Sequence, residues 1–405
     1  MEMAKSLTIA KVSNHIPEDL AFSAVLYKLP LKSLKRFGCV SKTWSLLFQN
    51  PNFLSKFRNN LISIPHSYYN DTSLLLNQVM YHDHNNSQVY SSMHSLFGEK
   101  YENRLKLEFP NPFQEEDPFF NILCCGSITG ILCLFQHHKV VLWNPTTDEF
   151  KVIPPSSAES IPPPWDPSPL LYGFGYDHVS DDYKIIRHVC YFLNTQGEDW
   201  DDLLSSSQTC YEHLWEIYSL RCNSWRKIDV DIPRDWEVST ENGLFMDGIC
   251  HWYSSCTKND DECEHILVSF DLTNEVSFAT LIPLDIDANE KCNFVQRNLM
   301  MLNGSIASIS WYIHTSTFHI SVLAELGVKE SWTKLFVVGP LPYIQYPVGA
   351  GKNGHIFFTK KDGGLVHFDL TTQMIEELGG VKGAHYYSEV IIYKENLLSI
   401  GGINH

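Results

Sequence analysis

The residues best suited to chemistry in this 405-residue chain are a cysteine-histidine run, Cys250-x5-Cys256-x6-Cys263-x-His265. A structural zinc site gathers its ligands through paired Cys-x2-Cys knuckles, and these longer, uneven intervals lack them, so the spacing predicts no metal site. His137-His138 and the isolated His251, His265 and His367 stand outside any nucleophile-base pattern. They read as strand or turn residues, and no Gly-x-Ser-x-Gly elbow, phosphate-cradling Gly-Lys-Ser/Thr loop or His-Glu-x-x-His motif accompanies them. Two acidic stretches, Gly197-Glu198-Asp199-Trp200-Asp201-Asp202 and Asn259-Asp260-Asp261-Glu262, offer carboxylates without the alternation of a Ca²⁺ loop. Ile161-Pro162-Pro163-Pro164-Trp165 is too short for a polyproline ligand and reads as a stiff inter-strand loop. The residue types therefore predict no catalytic residue, no metal and no cofactor, and favour binding.

The elements that would carry a binding function divide by charge. Hydrophobic residues make up 44% of the chain and charged residues 19%, a globular composition. The formal net charge of −17 argues against a surface that grips phosphate backbones, and so against nucleic acid as a partner. Residues 1–60 nevertheless hold nine Lys and Arg against three acids, a balance of +6, which leaves −23 on the remainder. Such segregation predicts two modules facing different partners. The 11 cysteines follow no secretory framework and no apolar leader is visible, so the expected location is intracellular, in cytoplasm or nucleus. Phe119 to His138 lacks any charged side chain, but Gly126 to Gly130 interrupts it, and the pattern predicts two buried strands around a turn and no membrane span.

In the basic head, Pro17-Glu18-Asp19 suits a helix first turn, because Pro leaves no N–H unpaired there and the acids meet the positive end of the dipole. That helix should reach about Tyr27. After Leu29-Pro30, the apolar residues Leu31, Leu34, Phe37, Trp44 and Leu47-Phe48 recur at helical spacing, with Lys32, Lys35, Arg36 and Lys42 between them and Gln49-Asn50-Pro51 as the stop. So small a helical unit cannot bury all these side chains alone, so its apolar face must dock on the rest of the chain or on a partner.

Ile16-Pro17-Glu18-Asp19-Leu20, Leu29-Pro30-Leu31-Lys32-Ser33-Leu34 and Cys39-Val40-Ser41-Lys42-Thr43-Trp44 resemble, in order, the three signatures of the F-box motif. The resemblance covers about residues 12–60 and implies binding to a Skp-family adaptor and, through it, a cullin scaffold. Carried over by position, Pro17, Leu20, Leu26, Leu29, Pro30, Leu34, Val40 and Trp44 would face or support that adaptor. Ile16 replaces the usual Leu, and Gly38 stands where a basic residue is common, at a cost of about 1 kcal/mol of helix stability.

Beyond residue 65 the helical period gives way to short apolar runs between turn residues. Thr129-Gly130, Asp247-Gly248, Asn303-Gly304 and Asn353-Gly354 each precede a strand, as hairpin turns prefer, and their glycines are 118, 56 and 50 residues apart. The wide gap leaves one unit without the signature, where Gly173-Phe174-Gly175-Tyr176-Asp177 stands instead. Second strand-turn-strand elements follow at Trp143-Asn144-Pro145-Thr146-Thr147, Tyr218-Ser219-Leu220, Phe270-Asp271-Leu272, Glu330-Ser331-Trp332 and Phe368-Asp369-Leu370. A repeat of roughly 50 residues in short antiparallel strands predicts an all-β, kelch-like β-propeller of six or seven blades over 65–405.

Cys125-Gly126-Ser127-Ile128-Thr129-Gly130-Ile131-Leu132-Cys133, Trp143-Asn144-Pro145-Thr146-Thr147, Gly173 to Asp177, Asp182-Tyr183-Lys184, Gly248-x-x-His251-Trp252 and Ser269-Phe270-Asp271-Leu272 look like successive signatures of the plant F-box-associated interaction domain, kelch-like and close to the S-locus F-box group. Here Ser127, Ile128 and Thr129 are inserted before Gly130. The two resemblances together imply a non-catalytic substrate receptor of a Skp-cullin-F-box ubiquitin ligase, with adaptor on the head and a protein substrate on the propeller. The aromatic, acidic loops at Trp165, Trp200 and Trp236 are the substrate-contact candidates, and a basic partner surface would suit them. The alternatives are an adaptor-bound scaffold that delivers no substrate, and a propeller enzyme with a Tyr, His and Cys copper site, for which no spacing speaks.

Overall fold

The computed structural model describes residues 31–40, 42–47, 50, 53, 73–81, 89–98, 100–113, 119–120, 122–136, 138–160, 165–193, 212–232, 237–238, 243–259, 262–283, 295–351, 354–381, 388–396 and 399–400. The chain divides into two compact units, Met1–Ile64 and Pro65–His405. In the first, helical residues run over α1, Leu31–Val40, and α2, Lys42–Leu47. Leu34 is 1% exposed, whereas Phe37, Val40 and Leu46 stand exposed beside the solvent-facing Arg36 and Lys42. One apolar stripe is thus used inside the unit and another lies open. Pro17, Leu20, Leu26, Leu29 and Pro30 lie outside the described residues, and Trp44 falls within α2.

The second unit is a six-bladed propeller of antiparallel sheets. Its first blade joins β1 (Ser73–Tyr81), β2 (Val89–Phe97) and β3 (Asn103–Leu107) to the far-separated β26 (Glu389–Tyr393), with the short β4 (Phe119–Phe120) parallel to β2. The second holds β5 (Leu123–Ile128), β6 (Ile131–Gln136), β7 (Lys139–Asn144) and β8 (Glu149–Val152); the third β9 (Trp165–Asp177), β10 (Asp182–Leu193), β11 (Glu212–Ser219) and β12 (Ser224–Ile228). In the fourth, β13 (Glu237–Val238) and β14 (Leu244–Met246) share the edge of β15 (Ile249–Asn259), followed by β16 (Glu262–Asp271) and β17 (Val276–Leu281). The fifth comprises β18 (Val295–Leu302), β19 (Ser305–Tyr312), β20 (Thr317–Leu323) and β21 (Trp332–Val338), and the sixth β22 (Ile344–Ala350), β23 (His355–Lys360), β24 (Leu365–Asp369) and β25 (Met374–Leu378). No helix among the described residues is long and apolar enough to cross a membrane.

Each blade packs on both neighbours, so middle strands are buried on two faces and read as continuous apolar runs. Ile131-Leu132-Cys133-Leu134 is 0% exposed throughout, while the outer β8 and β12 alternate between half-buried and exposed. Apolar clusters fill the seams: Leu74, Leu76, Phe357, Leu365 and Val390 between the sixth and first blades, and Ile309, Phe318, Ile356 and Phe358 between the fifth and sixth.

The hairpin signals mark real turns. Thr129-Gly130, Asp247-Gly248 and Asn303-Gly304 place both residues at positive φ, the conformation that turns two strands back with matched twist. The blade without that signature turns through His178-Val179-Ser180-Asp181, where Asp177 Oδ1 accepts the Val179 and Ser180 amides. In the second blade the inserted Ser127 and Ile128 pair with Leu132 and Ile131, a bulge falls just before them at Cys125-Gly126, and the Thr129-Gly130 hairpin forms intact. The fifth blade departs from the common second turn: between Leu323 and Trp332 the chain makes a longer connection ending in a 3-10 turn, Lys329–Ser331.

The glycines of Gly173-Phe174-Gly175 are required by contact. A Cβ on Gly173 would lie 2.5 Å from Cys250 Sγ, and one on Gly175 2.3 Å from Phe245 Cε2. Asp177 and Lys184 from the same motif clasp the next blade: Lys184 Nζ donates to Leu272 O at 2.6 Å and pairs with Asp177 at 2.9 Å, while Thr273 Oγ1 donates to Asp177 at 2.8 Å.

Candidate functional site

The first strands of the blades enclose a cavity of about 150 Å³ at the propeller centre, with walls from β5, β14, β18, β22 and β26. Gly349, at φ 145, lets β22 pass close to β26, because a Cβ there would lie 2.5 Å from Val390 O. The wall includes Met300, Met301, Phe245 and aliphatic residues, with Ser127 and Asn298 among them, and Glu389 of β26 supplies a carboxyl. The Cys124 amide donates to that carboxyl, whereas Oε2 is buried without a hydrogen-bond partner. Burial pushes the Glu389 pKa up to about 8, only partly offset by the Cys124 amide. Near neutrality this group alternates between hydrogen-bond donor and anion, so the cavity can receive one small polar group.

The neighbouring thiols are not activated. A hydrogen bond with Cys133, followed by burial, holds Cys125 well above the usual thiol range, and burial does the same to Cys124 and Cys250. Thiols so held are poor nucleophiles. Cys250 pairs with Phe270 at one end of the β15–β16 ladder and Cys263 with Thr257 near the other, which keeps the cysteine-histidine run from converging on one ion. His251 is wholly buried, its Nδ1 2.9 Å from Ser269 Oγ, and burial lowers its pKa to about 3. Burial likewise lowers His265 to about 3, helped by Arg297, and lowers His367. These imidazoles are neutral strand residues.

The stretch from Trp165 to Pro169, expected as a loop, is strand: Trp165 pairs with Leu193 and Pro169 with Val189 at the start of β9. Half-buried Trp165 packs against Ala158, Val189 and Tyr191. Trp200 and Trp236 lie outside the described residues, as does the whole Gly197–Asp202 acidic stretch within 194–211. Residue patterns had passed over Glu389. The one available signal was an acid opening the apolar strand Glu389-Val390-Ile391-Ile392-Tyr393, where a mostly buried strand is costly for a carboxylate.

Closure is built from motif residues. Asn144 Nδ2 donates to Asn396 Oδ1 at 3.2 Å, Thr146 Oγ1 lies 2.7 Å from the Tyr393 hydroxyl, and a Cβ on Gly130 would lie 2.4 Å from Lys394 O. Trp143-Asn144-Pro145-Thr146 thus anchors the segment that follows β26.

Residues 79–397 match the F-box associated beta propeller domain. Among Arabidopsis thaliana proteins, the F-box protein At3g16210 is 28% identical over 60% of this chain and 54% of its own length, and At5g15660 is 24% identical over 79% and 64%. The chain therefore spans between half and two thirds of those two relatives. The F-box protein CPR1 is 22% identical over 96% of this chain and 90% of its own length. Six blades locked by the same motifs that the family match spans place this chain among the plant F-box proteins that carry the F-box associated beta propeller domain.

Proposed function

We propose that the chain is the substrate receptor of a Skp-cullin-F-box ubiquitin ligase, with residues 12–60 as the adaptor-binding module and 65–405 as the substrate-binding one. The observation that carries this reading is the pairing, in one chain, of an F-box-associated propeller with the Leu29 to Trp44 signature, whose described part lies on helices that expose Phe37, Val40 and Leu46. Open apolar side chains on so short a helical unit fit a partner groove. Burial of Leu34 supports reading it as a prop within the unit, and the exposure of Val40 supports reading it as an adaptor contact. The receptor's contribution is proximity. Holding a protein substrate beside the conjugating enzyme raises effective concentration and needs no catalytic side chain in this chain. Substrate contact is assigned to loops of the propeller, with Trp200 and Trp236 as candidates from the sequence and Trp165, at the start of β9, as the described one.

Co-precipitation of a purified Skp-family adaptor with the full chain tests the reading. Val40→Glu, at an exposed position, is expected to weaken adaptor capture by about tenfold or more with an unchanged propeller melt. Full capture by both this variant and a chain lacking residues 1–60 would overturn it. Proximity labelling from the chain lacking residues 1–60, scored for proteins whose abundance rises, identifies the substrate; a result with no such protein favours a non-degradative scaffold.

A further inference from the structure

The outer half of the seam between the first and sixth blades opens into a recess of about 470 Å³, whose lining includes Gln78, Met80, Ser92, His94, Arg104 and Lys106. Register explains the gathering. Gln78 pairs with Ser92, His94 with Lys106 and Leu96 with Arg104, so these side chains share the face of the first blade that looks toward the sixth. Deeper on the same face Leu74, Leu76 and Leu96 are sealed against Phe357, Leu365 and Val390, and the polar set begins where that apolar packing ends.

Three features of this recess belong together. Among the described residues its lining holds an Arg, a Lys and a His and no carboxylate, within a body that carries −23 overall. Arg104 makes no ion pair among the described residues, and Lys106 meets only Glu108 at 3.3 Å, a pair with both side chains largely in solvent and so of little energetic weight. Ser92 Oγ and His94 Nδ1 are buried without any hydrogen-bond partner. Buried polar atoms are nearly always satisfied, so two in one recess indicate a missing hydrogen-bonding occupant. Burial, with Arg104 and Lys106 close by, also lowers the His94 pKa, the response of a site that already holds uncompensated positive charge.

We propose that this recess binds a phosphate monoester, with Arg104 and Lys106 meeting its charge and Ser92 Oγ and His94 its remaining oxygens. Arg104 and Lys106 stand two apart on the outer strand β3, so both project to one side and bracket a group with several equivalent oxygens. The surrounding acidic body would repel a polyanion, which selects a single phosphate on an otherwise neutral or basic carrier. A phosphorylated side chain and a small phosphorylated metabolite share this chemistry.

Calorimetric titration of the full chain distinguishes these sources and tests the site. The probes are N-acetyl-O-phosphoserine amide, glycerol 3-phosphate and unphosphorylated N-acetylserine amide. Both phosphorylated probes are expected to bind and the unphosphorylated one not to; preference for the first marks a protein-borne phosphate and equal binding marks recognition of the phosphate alone. Arg104→Ala combined with Lys106→Ala removes exposed side chains, so the melt should be unchanged while affinity falls by about tenfold or more. Ser92→Ala should weaken binding by about fivefold, and Arg104→Lys should recover part of the loss. Absence of binding up to about 10 mM of either phosphorylated probe, or affinity unchanged in the double variant, would sink the proposal.

Discussion

Two glutamates, the buried Glu216 and the half-buried Glu389, show how its partners decide what a carboxylate does. Glu216 accepts from Arg187 Nη2 at 3.0 Å and Nε at 3.2 Å and from Ser156 Oγ at 2.9 Å, while the Arg187 guanidinium lies 3.9 Å over the Trp225 ring. Glu159 adds a second carboxylate 2.7 Å from Arg187, so the network is closed and structural. Glu389, in the wall of the central cavity, has one amide donor, and its Oε2 is unpaired. Its folded pKa, about 8, lies above its unfolded value near 4.5. The folded state therefore holds the proton more tightly, and the stability this contributes is complete below the unfolded value and lost as pH rises to about 8. Unfolding free energies from denaturant titrations at pH 5 to pH 8 should fall in the native chain by up to about 1 kcal/mol per pH unit, and Glu389→Gln should flatten that slope. Parallel profiles for the two proteins would show that the carboxyl is solvated.

At the scale of the element, the glycines separate into those that make turns and those that make room. Gly304, at φ 81 in the β18–β19 turn, has nothing within 4 Å of a Cβ, so Gly304→Ala should cost only the backbone strain of about 1 kcal/mol. Gly175 on β9 needs no unusual φ, yet its Cβ would enter Phe245 and Leu272 at 2.3 and 2.4 Å. Gly175→Ala should therefore cost about 2–3 kcal/mol, the larger loss of the two, by chemical denaturation. The reverse ranking would mean that the third and fourth blades are not packed through this motif. Asp177 in the same segment joins these blades electrostatically. Burial would raise its pKa, but hydrogen bonds from Ser180, Lys184 and Thr273 outweigh it and hold the carboxyl well below the usual range. The turns of this motif were legible from residue order alone, because positive φ and side-chain capping are local demands. The clasp onto Leu272 and Thr273 was not, since its partners are about ninety residues away.

For the propeller as a whole, closure is the decisive act. β26 pairs with β1 over Ser73–Asn77, joining residues more than 300 apart in one sheet and leaving no open seam in the ring. Removing residues 388–405 should leave β1 as a bare edge, expose Leu74, Leu76 and Trp143, and turn a single cooperative melt into a broad one with dye-binding apolar surface. A sharp melt at the native temperature would show that five and a half blades suffice. The segregation of charge, +6 in residues 1–60 against −23 beyond, survives as two units, but the average conceals the basic recess at Arg104 and Lys106. Period, turn residues and ordered motifs determined by themselves that a helical head precedes a many-stranded repeat, because strand alternation and hairpin geometry are written within a few residues of one another. The count of six, the pairing of β26 with β1, the isolation of Glu389 and the gathering of Ser92, His94, Arg104 and Lys106 were settled only in three dimensions. Each depends on which strands become neighbours around the ring, and burial and charge at those seams come from residues that no local pattern connects.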